Sequence, residues 1–332
     1  MTAADQQRLV EIVKRFPKQK LVIIGDAIAD RFLFGSISRV SREAPVFILR
    51  HEQTETVPGG AANCAVNLAS LGADVCLVSV VGNDEAGREL IDKLQLAGVN
   101  ISCLLTSDKI QTTTKVRILA GQTHSSRQQV IRVDYEGGPL ADSELHSLLL
   151  ERLESQSAEA KAIIISDYNY GVVGDSAVEF LRNSKLPVLV DSRFRSASLT
   201  GFTAATPNED EVEQLIDEPI VSQEQLEKAA IQLKQKLGHQ ALLVTRGGNG
   251  MMLLENDEAP LHIVAVGAQQ PVDVTGAGDT VIATFALALA SGASFSDAAR
   301  LANYAGGLVV MKRGTASITP QELEHSILNA EI

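Results

Sequence analysis

The sequence has few of the residues that hold disulfide frameworks and structural zinc sites together. Its three cysteines, Cys64, Cys76 and Cys103, are odd in number and lack close pair spacing, so we interpret them as small buried hydrophobic residues. Long apolar runs are also missing, because the longest fall well short of the roughly 20 residues that cross a bilayer. The first residues show no basic segment followed by an apolar run. We therefore expect a cytoplasmic protein that contacts no membrane.

Basic residues are scarce relative to acidic ones: 29 Lys and Arg against 41 Asp and Glu give a net charge of −12. Such a balance repels a polyanionic backbone, so nucleic acid is not an expected partner. A small anionic substrate remains compatible with it, since a pocket needs only a few well-placed cations. The sequence also lacks the Gly-x-x-x-x-Gly-Lys-Ser/Thr pattern of P-loop proteins. Six histidines without metal-ligand spacing are interpreted as solvated or structural: His51, His124, His146, His239, His262 and His325.

What the sequence does have is length and apolar residues: 332 residues, 45% hydrophobic and 21% charged, suit a large buried core. At roughly 150 residues per domain, two domains or one large α/β domain are expected. Apolar runs, interpreted as buried strands, occur at 20–26, 75–81, 162–166, 188–190 and 241–245. Helical patterns lie between and after them at 61–71, 84–96, 143–153, 176–183, 223–237, 276–290 and 296–310. The alternation predicts a mostly parallel sheet covered by helices on both faces.

Three acidic residues mark the edge of this predicted sheet. Asp26, Asp167 and Asp191 each end or directly follow an apolar run. Ligands of open α/β sheets bind outside the carboxyl ends of the strands. We therefore expect these carboxylates to line one crevice.

Two stretches, 31–58 and 112–135, break the alternation and have the composition of short strands. Because each leaves and rejoins the α/β part, we interpret them as a discontinuous β lid that excludes water from the crevice. The alternative is a pair of surface hairpins. Unpaired strand edges invite partners, so a homodimer formed through the lid is one expectation. The whole chain, 1–332, is then one large domain that carries the lid.

The strongest candidate for chemistry is the stretch from Asp273 to Thr280, a glycine-containing turn that opens an apolar helix. Amides at a helix N-terminus favour negative charge, so Gly276, Ala277 and Gly278 are expected to form an anion hole. A carboxylate at its mouth suits a general base that takes the proton of a hydroxyl attacking phosphorus, and we assign Asp279 this role. The alternative is a glycine-rich turn in which Asp279 only caps the helix.

Two further motifs open helices. Gly59 and Gly60 permit close contact with a polar ligand, while Asn63 offers a donor and an acceptor to a hydroxyl-rich substrate; an ordinary helix start is the alternative. Later, Asn208 and Glu211 stand three residues apart on one helix face. Their oxygens suit Mg²⁺ held through water and substrate phosphates. The alternative is a helix start whose acidic residues complement the dipole.

Together these motifs resemble the signatures of the ribokinase-like carbohydrate kinases, the PfkB family. The resemblance runs from about residue 21 to residue 319, in the family's order. Its matching positions are Gly59, Gly60, Asn63, Ala65, Gly72 and Gly82 early, Asn208 and Glu211 in an Asn-x-x-Glu element, 244–250 in a strand and turn near the nucleotide, and Asp273, Thr275, Gly276, Ala277, Gly278 and Asp279 late. The resemblance implies a ribokinase-like three-layer α/β sandwich with a mostly parallel central sheet, and transfer of a phosphoryl group from ATP to a sugar hydroxyl.

Within that family the sequence is similar to the bacterial D-glycero-D-manno-heptose 7-phosphate kinases, which implies a 1,7-bisphosphate product on the route to ADP-heptose. The similar stretches are 37–46, 58–67, 113–117, 129–134, 166–168 and 273–280. There are two departures: Tyr170 replaces an expected lysine, and Ser192-Arg193 replaces Pro-Lys, so that Arg193 or Arg195 would supply the missing charge. Many such kinases are fused to a nucleotidyltransferase. Here we expect any such activity on a separate polypeptide.

The resemblance also implies roles for individual residues. Sugar hydroxyls would be held by Asp26, Asp30, Gly59, Gly60 and Asn63. A phosphate on the sugar would pair with Lys115, Arg117 and Arg132, whose alternative is a solvated lid face. ATP would be lined by Asn208, Thr245, Gly247, Gly250 and Asn303. Mg²⁺ would lie near Asn208 and Glu211, and K⁺ beside Asp273 and Thr275, which otherwise only fix the turn. The remaining alternatives are a kinase for another sugar, sugar phosphate or nucleoside, and a catalytically silent sugar-binding module.

Overall fold

The computed structural model describes residues 2–121, 127–256, 258–267 and 270–330, so His124 and lid positions 122–126 lie outside the described residues. The α-helices are α1 (Ala3–Val13), α2 (Ala61–Ser70), α3 (Glu85–Leu96), α4 (Ser143–Ser157), α5 (Asp175–Arg182), α6 (Glu209–Ile216), α7 (Gln223–Leu237), α8 (Ala277–Ala290), α9 (Phe295–Val309) and α10 (Pro320–Leu328). The strands are β1 (Lys20–Gly25), β2 (Ala27–Val40), β3 (Phe47–Gly60), β4 (Asp74–Gly82), β5 (Leu104–Ser107), β6 (Thr114–Gly121), β7 (Gln128–Tyr135), β8 (Ala162–Asp167), β9 (Val188–Ser192), β10 (Ala204–Ala205), β11 (Ala241–Thr245), β12 (Met251–Glu255) and β13 (Leu261–Ile263). Short 3₁₀ turns occupy Ser196–Ser198 and Gly247–Asn249.

Nine of these strands form the main sheet, in the order β13-β12-β11-β10-β9-β8-β1-β4-β5. The pairings from β5 to β11 are parallel, and β12 and β13 complete one edge with antiparallel pairings. Helical crossovers between parallel strands produce this arrangement. The prediction of a mostly parallel sheet is confirmed.

Helices cover both faces of the main sheet, and β1 shows why its strands are apolar throughout. Leu21 and Ile23 pack into a core with α1, α2, α3, α8, α9 and α10. Val22 and Ile24 point the other way, into a core with α4, α5, α6 and α7. Since successive side chains of a strand alternate between faces, a strand buried on both faces needs a continuous apolar run. The result is the expected three-layer sandwich.

The helix starts follow local capping rules. At the start of α3 the side chain of Asp84 accepts a hydrogen bond from the amide of Gly87 at 2.8 Å. Thr319 and Glu322 form a reciprocal capping box at the start of α10. These bonds satisfy amides that have no partner within the helix.

A smaller sheet, in the order β3-β2-β6-β7, stands beside the main one. The β2 strand runs antiparallel to β3 and parallel to β6, and β6 runs antiparallel to β7. The strands are longer than the predicted segments imply: β2 begins directly after Asp26 and β3 continues to Gly60. The small sheet thus meets the main sheet at the carboxyl end of β1.

The three cysteines are free and buried, as the sequence indicated. Across the described ranges, no helix combines the length and the hydropathy needed to cross a bilayer.

Candidate active site

Asp279 lies in the first turn of α8, on a buried surface between α8 and α2. Its side chain is only 5% exposed. The Nδ2 of Asn63 donates a hydrogen bond to Oδ2 of Asp279 at 2.6 Å, and the hydroxyl of Tyr168 donates to Oδ1 at 3.0 Å. These bonds join three elements that are far apart in the sequence. They differ from the capping alternative, in which the carboxylate would accept from amides of its own helix.

Burial is the main influence on the charge of Asp279. It raises the pKa of this carboxyl from 3.8 to about 6, against the opposing hydrogen bonds from Asn63 and Tyr168. The negative charge of Asp30 raises the pKa further, and the positive charge of Lys115 lowers it. A carboxylate with a pKa near the working pH can both lose and accept a proton, which is what general base catalysis requires.

The turn before α8 is shaped by close packing on one side and open space on the other. Gly276 has φ +77°, and a Cβ atom there would lie 2.6 Å from Nδ2 of Asn63, so a side chain is excluded. A Cβ atom at Gly278 would contact nothing within 4 Å. The amide of Ala277 already donates to the carbonyl of Val274 at 3.2 Å. The open approach to the helix N-terminus is therefore at Gly278, and the predicted anion hole stays a prediction.

A second asparagine, which is not among the predicted site residues, supports this site from inside α2. Asn67 is fully buried and donates to the carbonyl oxygen of Asn63 at 3.0 Å and to its Oδ1 at 3.2 Å. Its own Oδ1 accepts a hydrogen bond from Thr280 Oγ1 at 2.9 Å. The available signal was a second asparagine one helical turn after Asn63 in an otherwise apolar helix.

The two glycines at the end of β3 are required by packing. A Cβ atom at Gly59 would lie 2.5 Å from Oδ2 of Asp30. At Gly60, where φ is +56°, it would lie 2.6 Å from the carbonyl of Asp26 and 3.2 Å from the ring of Tyr168. These glycines bring β3, β2 and the segment after β8 into contact. Their role in holding sugar hydroxyls stays a prediction.

Asp26 has a structural role that the sequence did not suggest. Its Oδ2 accepts hydrogen bonds from the amides of Tyr168 at 2.7 Å and Tyr170 at 3.1 Å, and its Oδ1 accepts from the amide of Val172 at 3.1 Å. Burial raises the pKa of Asp26 to about 6, although these bonds favour the ionised form. Asp26 therefore fixes the segment that presents Tyr168 to Asp279, and its predicted contact with sugar hydroxyls is untested.

Two of the three predicted phosphate-binding cations, Lys115 and Arg117, lie near the carboxylate of Asp30. Arg117 Nη2 donates to Oδ1 of Asp30 at 2.8 Å, and Lys115 Nζ lies 5.6 Å and 5.7 Å from the ring centroids of Tyr168 and Tyr170. Burial lowers the pKa of Lys115. The third cation, Arg132, is on the exposed strand β7 and pairs with Asp134 at 2.8 Å. The small sheet thus presents a cationic patch toward Asp30.

The predicted nucleotide residues gather at the carboxyl end of β11. Thr245 donates its amide to the carbonyl of Pro207 at 2.9 Å, which places it beside Asn208. A Cβ atom at Gly247 would contact nothing within 4 Å.

Two other residues predicted to bind the nucleotide have packing roles. A Cβ atom at Gly250 would lie 2.0 Å from the carbonyl of Ile263. Asn303 Nδ2 donates to the carbonyl of Val264 at 2.8 Å. Packing and hydrogen bonding within the protein are therefore enough to explain a glycine at position 250 and an asparagine at position 303.

Asn208 and Glu211 form a reciprocal capping box at the start of α6, with both hydrogen bonds at 2.9 Å. This is the alternative that the sequence left open. The two roles are compatible, because a carboxylate has lone pairs beyond those used in one hydrogen bond.

Carboxyl groups from β9, α6 and α8 influence one another here. Burial, and then the charges of Asp279 and Glu211, raise the pKa of Asp191, while Arg193 lowers it. Burial also raises the pKa of Glu211. Oxygen donors that repel one another in this way fit Mg²⁺, which is usually held through water and phosphate oxygens. No cluster of three or more acidic, histidine or cysteine side chains in the described ranges has the geometry to hold a metal ion directly.

Asp273 joins two turns near the start of α8. Its Oδ1 accepts from the amide of Thr275 and its Oδ2 from the amide of Gly314, both at 3.0 Å. These contacts correspond to the alternative in which Asp273 and Thr275 fix the turn. A monovalent cation at this place stays a prediction.

The two departures from the heptose kinase pattern are accommodated locally. The hydroxyl of Tyr170 donates to Glu136. Ser192 Oγ donates to the buried Asp167 at 2.7 Å, and Arg195 Nη1 donates to the carbonyl of Val173 at 2.8 Å. Arg195 is thus occupied, and Arg193 is the arginine whose charge acts on Asp191.

Most of the chain is similar to proteins of one known family. A family model described as "pfkB family carbohydrate kinase" matches residues 18–322. A bifunctional protein HldE from Stutzerimonas stutzeri is 40% identical over 322 residues, which are 96% of this chain and 65% of that protein. The bifunctional protein HldE from Coxiella burnetii is 41% identical over 318 residues, 95% of this chain and 65% of that protein. The chain therefore spans just under two thirds of the length of these relatives.

Solved structures share the fold. A ribokinase from Arabidopsis thaliana, complexed with ribose and ATP, is similar to this chain with a TM-score of 0.75 and 22% sequence identity. The similarity covers 95% of this chain and 100% of the ribokinase chain. Phosphofructokinase-2 from Escherichia coli, in complex with potassium, has a TM-score of 0.78 and 17% identity and covers 94% of this chain and 98% of its own. The ribokinase-like α/β prediction is confirmed.

Proposed function

Since this chain belongs to the pfkB family of carbohydrate kinases, and is therefore an ATP-dependent sugar kinase, we propose that its acceptor is D-glycero-D-manno-heptose 7-phosphate. The product is the 1,7-bisphosphate. The observation that carries the proposal is the buried carboxylate of Asp279 at the open N-terminus of α8, with Lys115 and Arg117 on the neighbouring sheet. A base, an anion-binding helix end and a cationic patch are the groups needed by a sugar phosphate that is phosphorylated again.

The proposed chemistry is an in-line displacement at the γ-phosphorus of ATP. The anomeric hydroxyl oxygen forms the new O–P bond, the bond to the ADP oxygen breaks, and the hydroxyl proton passes to the carboxylate of Asp279. With a pKa of about 6, this carboxylate is largely ionised at neutral pH and so is ready to accept a proton. We assign the stabilisation of charge on the transferred group to the amides of Gly276 and Gly278, with the helix dipole behind them. The third amide of the predicted anion hole, that of Ala277, already donates to the carbonyl of Val274.

The remaining predicted residues divide between the two substrates. Sugar hydroxyls are assigned to Asp26, Asp30, Gly59, Gly60 and Asn63, and the sugar phosphate to Lys115, Arg117 and Arg132. The nucleotide is assigned to Asn208, Thr245, Gly247, Gly250 and Asn303. Mg²⁺ bound through water near Asn208 and Glu211 would neutralise phosphate charge, and K⁺ would lie beside Asp273 and Thr275.

The small sheet is the proposed lid, and its exposed edge is the proposed contact with a second copy of the chain. The β7 strand at one end of that sheet is exposed along its whole length, including Ile131 at 53% and Tyr135 at 49%. An exposed strand with apolar side chains invites pairing. Light scattering on protein eluting from a size-exclusion column is expected to give twice the mass of one chain. The Ile131→Lys variant is expected to give the mass of a single chain. A monomer at all concentrations would exclude this part of the proposal.

A panel of acceptors tests the substrate. ADP release would be followed with heptose 7-phosphate, mannose 6-phosphate, fructose 6-phosphate, ribose and adenosine, and the product identified by ³¹P NMR. We expect kcat/KM for heptose 7-phosphate to exceed the others by at least about 100-fold, since several charged and hydroxyl contacts discriminate together. No turnover of heptose 7-phosphate, with turnover of another acceptor, would assign the enzyme to that acceptor instead.

Asp279→Asn tests the base. We expect turnover to fall on the order of 10³-fold or more, while ATP binding measured by calorimetry stays intact. The matched control is Asp297→Asn: Asp297 occupies the same position in the first turn of α9 but pairs with Arg8 far from the site. Near-normal turnover in Asp279→Asn would refute the base assignment.

A further inference from the structure

Tyr168 is held at both ends in the segment that follows β8. Its amide donates to Oδ2 of Asp26 at 2.7 Å. Its ring lies under the end of β3, 3.2 Å from the position of a Cβ atom at Gly60. Its hydroxyl reaches Oδ1 of Asp279 at 3.0 Å. With the backbone and the ring both fixed, the direction of the hydroxyl is fixed as well.

We propose that Tyr168 is a positioning residue for Asp279, whose carboxylate it holds in the orientation that accepts the proton of the acceptor hydroxyl. Asn63 binds Oδ2 and Tyr168 binds Oδ1, so the plane of the carboxylate is determined by two donors. One lone pair on each oxygen remains for the substrate. This inference rests on the proposed function, in which Asp279 is the base.

Tyr168 is suited to the role because it remains a donor. Burial, and then the negative charges of Asp279 and Asp191, raise the pKa of its hydroxyl well above the ordinary value. The hydroxyl therefore keeps its proton at any working pH and favours the ionised form of the base. Without this hydroxyl, Asp279 would stay equally buried but would lose one of the two hydrogen bonds that lower its pKa.

Other groups around Asp279 also influence its charge. Asp30 on β2, Lys115 on β6, Asp191 on β9 and Cys64 on α2 interact electrostatically with this carboxyl. Tyr168→Phe keeps the ring, and therefore keeps its contact with Lys115 and its packing against Gly60. The substitution thus removes the hydroxyl and leaves the other influences in place.

The chain supplies a matched control two residues away, at Tyr170. Its ring centroid lies 5.7 Å from Nζ of Lys115, nearly the same as the 5.6 Å for the ring of Tyr168. Its amide is also held by Asp26. Its hydroxyl, however, donates to Glu136 rather than to Asp279. Tyr170→Phe therefore removes a comparable hydroxyl from the same segment without changing the donors on Asp279.

The test is the pH dependence of kcat/KM for heptose 7-phosphate in the wild type, Tyr168→Phe and Tyr170→Phe. A hydrogen bond to a charged group corresponds to a change of about one pKa unit. We expect the acid limb of Tyr168→Phe to move up by about one unit, with kcat lowered several-fold above it and KM for ATP unchanged. Tyr170→Phe is expected to keep the wild-type limb. An unmoved limb in Tyr168→Phe, or equal shifts in both variants, would overturn the inference.

A second measurement separates this inference from the proposed function. The carboxyl of Asp279 can be titrated by ¹³C NMR in protein labelled at aspartate, with the signal assigned by its absence in Asp279→Asn. An upward shift in Tyr168→Phe alone supports the contact whatever the acceptor is, and no shift refutes it. Failure to phosphorylate heptose 7-phosphate, or near-normal turnover in Asp279→Asn, would refute the proposed function instead.

Discussion

Replacing Asp279 by asparagine is expected to stabilise the protein at neutral pH while it removes the base. The carboxyl is buried, and its pKa rises from 3.8 to about 6 on folding. A carboxyl with a raised pKa binds its proton more tightly in the folded state. Its contribution to stability is therefore favourable at low pH and is lost as the pH rises through 6. Asparagine is neutral throughout and has no such penalty.

The size of the effect follows from the two pKa values. At pH 7.5 the penalty corresponds to about 2.2 pKa units, or about 3 kcal/mol. At pH 4.5 it corresponds to about 0.8 units, or about 1 kcal/mol. The single side-chain oxygen of asparagine keeps one of the two donors, from Asn63 or Tyr168, and the lost bond costs about 1–2 kcal/mol at either pH. The stability of Asp279→Asn relative to wild type should thus improve by about 2 kcal/mol between pH 4.5 and 7.5.

Urea unfolding followed by circular dichroism at both pH values measures this change directly. The wild type and the variant are compared at the same ionic strength, and the difference in unfolding free energy is taken at each pH. A constant term, such as the lost hydrogen bond, cancels between the two measurements. A difference that stays flat from pH 4.5 to 7.5 would show that the folded protein does not raise the pKa of this carboxyl.

Three further substitutions test other parts of the site. Asn67→Ala removes a buried hydrogen bond between α2 and α8 and another within α2, so we expect a loss of about 2–3 kcal/mol in the free energy of urea unfolding; a loss below about 0.5 kcal/mol would contradict the network. Lys115→Met should raise KM for the sugar phosphate roughly tenfold or more and leave KM for ATP unchanged in steady-state assays, whereas an equal rise in both would place Lys115 elsewhere. Gly250→Ala places a Cβ atom 2.0 Å from the carbonyl of Ile263 and should lower the thermal midpoint much more than Gly248→Ala, where the Cβ atom meets open space and φ is not positive.

The sequence predicted the main sheet well because its signals are local. Strands buried on both faces need uninterrupted apolar runs, and those at 20–26 and 162–166 coincide with β1 and β8. Three elements without a strong local signal were missed: α1 and α10 are short and partly exposed, and β10, inside the main sheet, has only two residues. Their positions depend on packing against the finished core. No local pattern encodes that packing.

The candidate site was predictable in residue type but not in contacts. Glycine-rich helix starts and a following aspartate are visible in the sequence, yet Asn63 and Asp279 are 216 positions apart and meet only through the packing of α2 on α8. Tyr168 and Asn67 were not predicted as site residues for the same reason, because their contacts with other elements form only in the folded chain. The role of Asp26 was unexpected because the sequence shows a carboxylate but not the three amides that approach it.

The β2 strand belongs both to the small sheet and to the candidate site, and this affects how the acceptor preference can be redesigned. Only Asp26 separates β1 from β2, and β2 carries Asp30 on its way into the small sheet. Exchanging the whole small sheet with that of a relative would also exchange Asp30 and the Gly59-Gly60 pair. Single substitutions at the side chains of β6, such as Lys115, leave those residues in place. Substitutions on β6 could therefore change the preferred acceptor while Asp30, Gly59 and Gly60 stay unchanged.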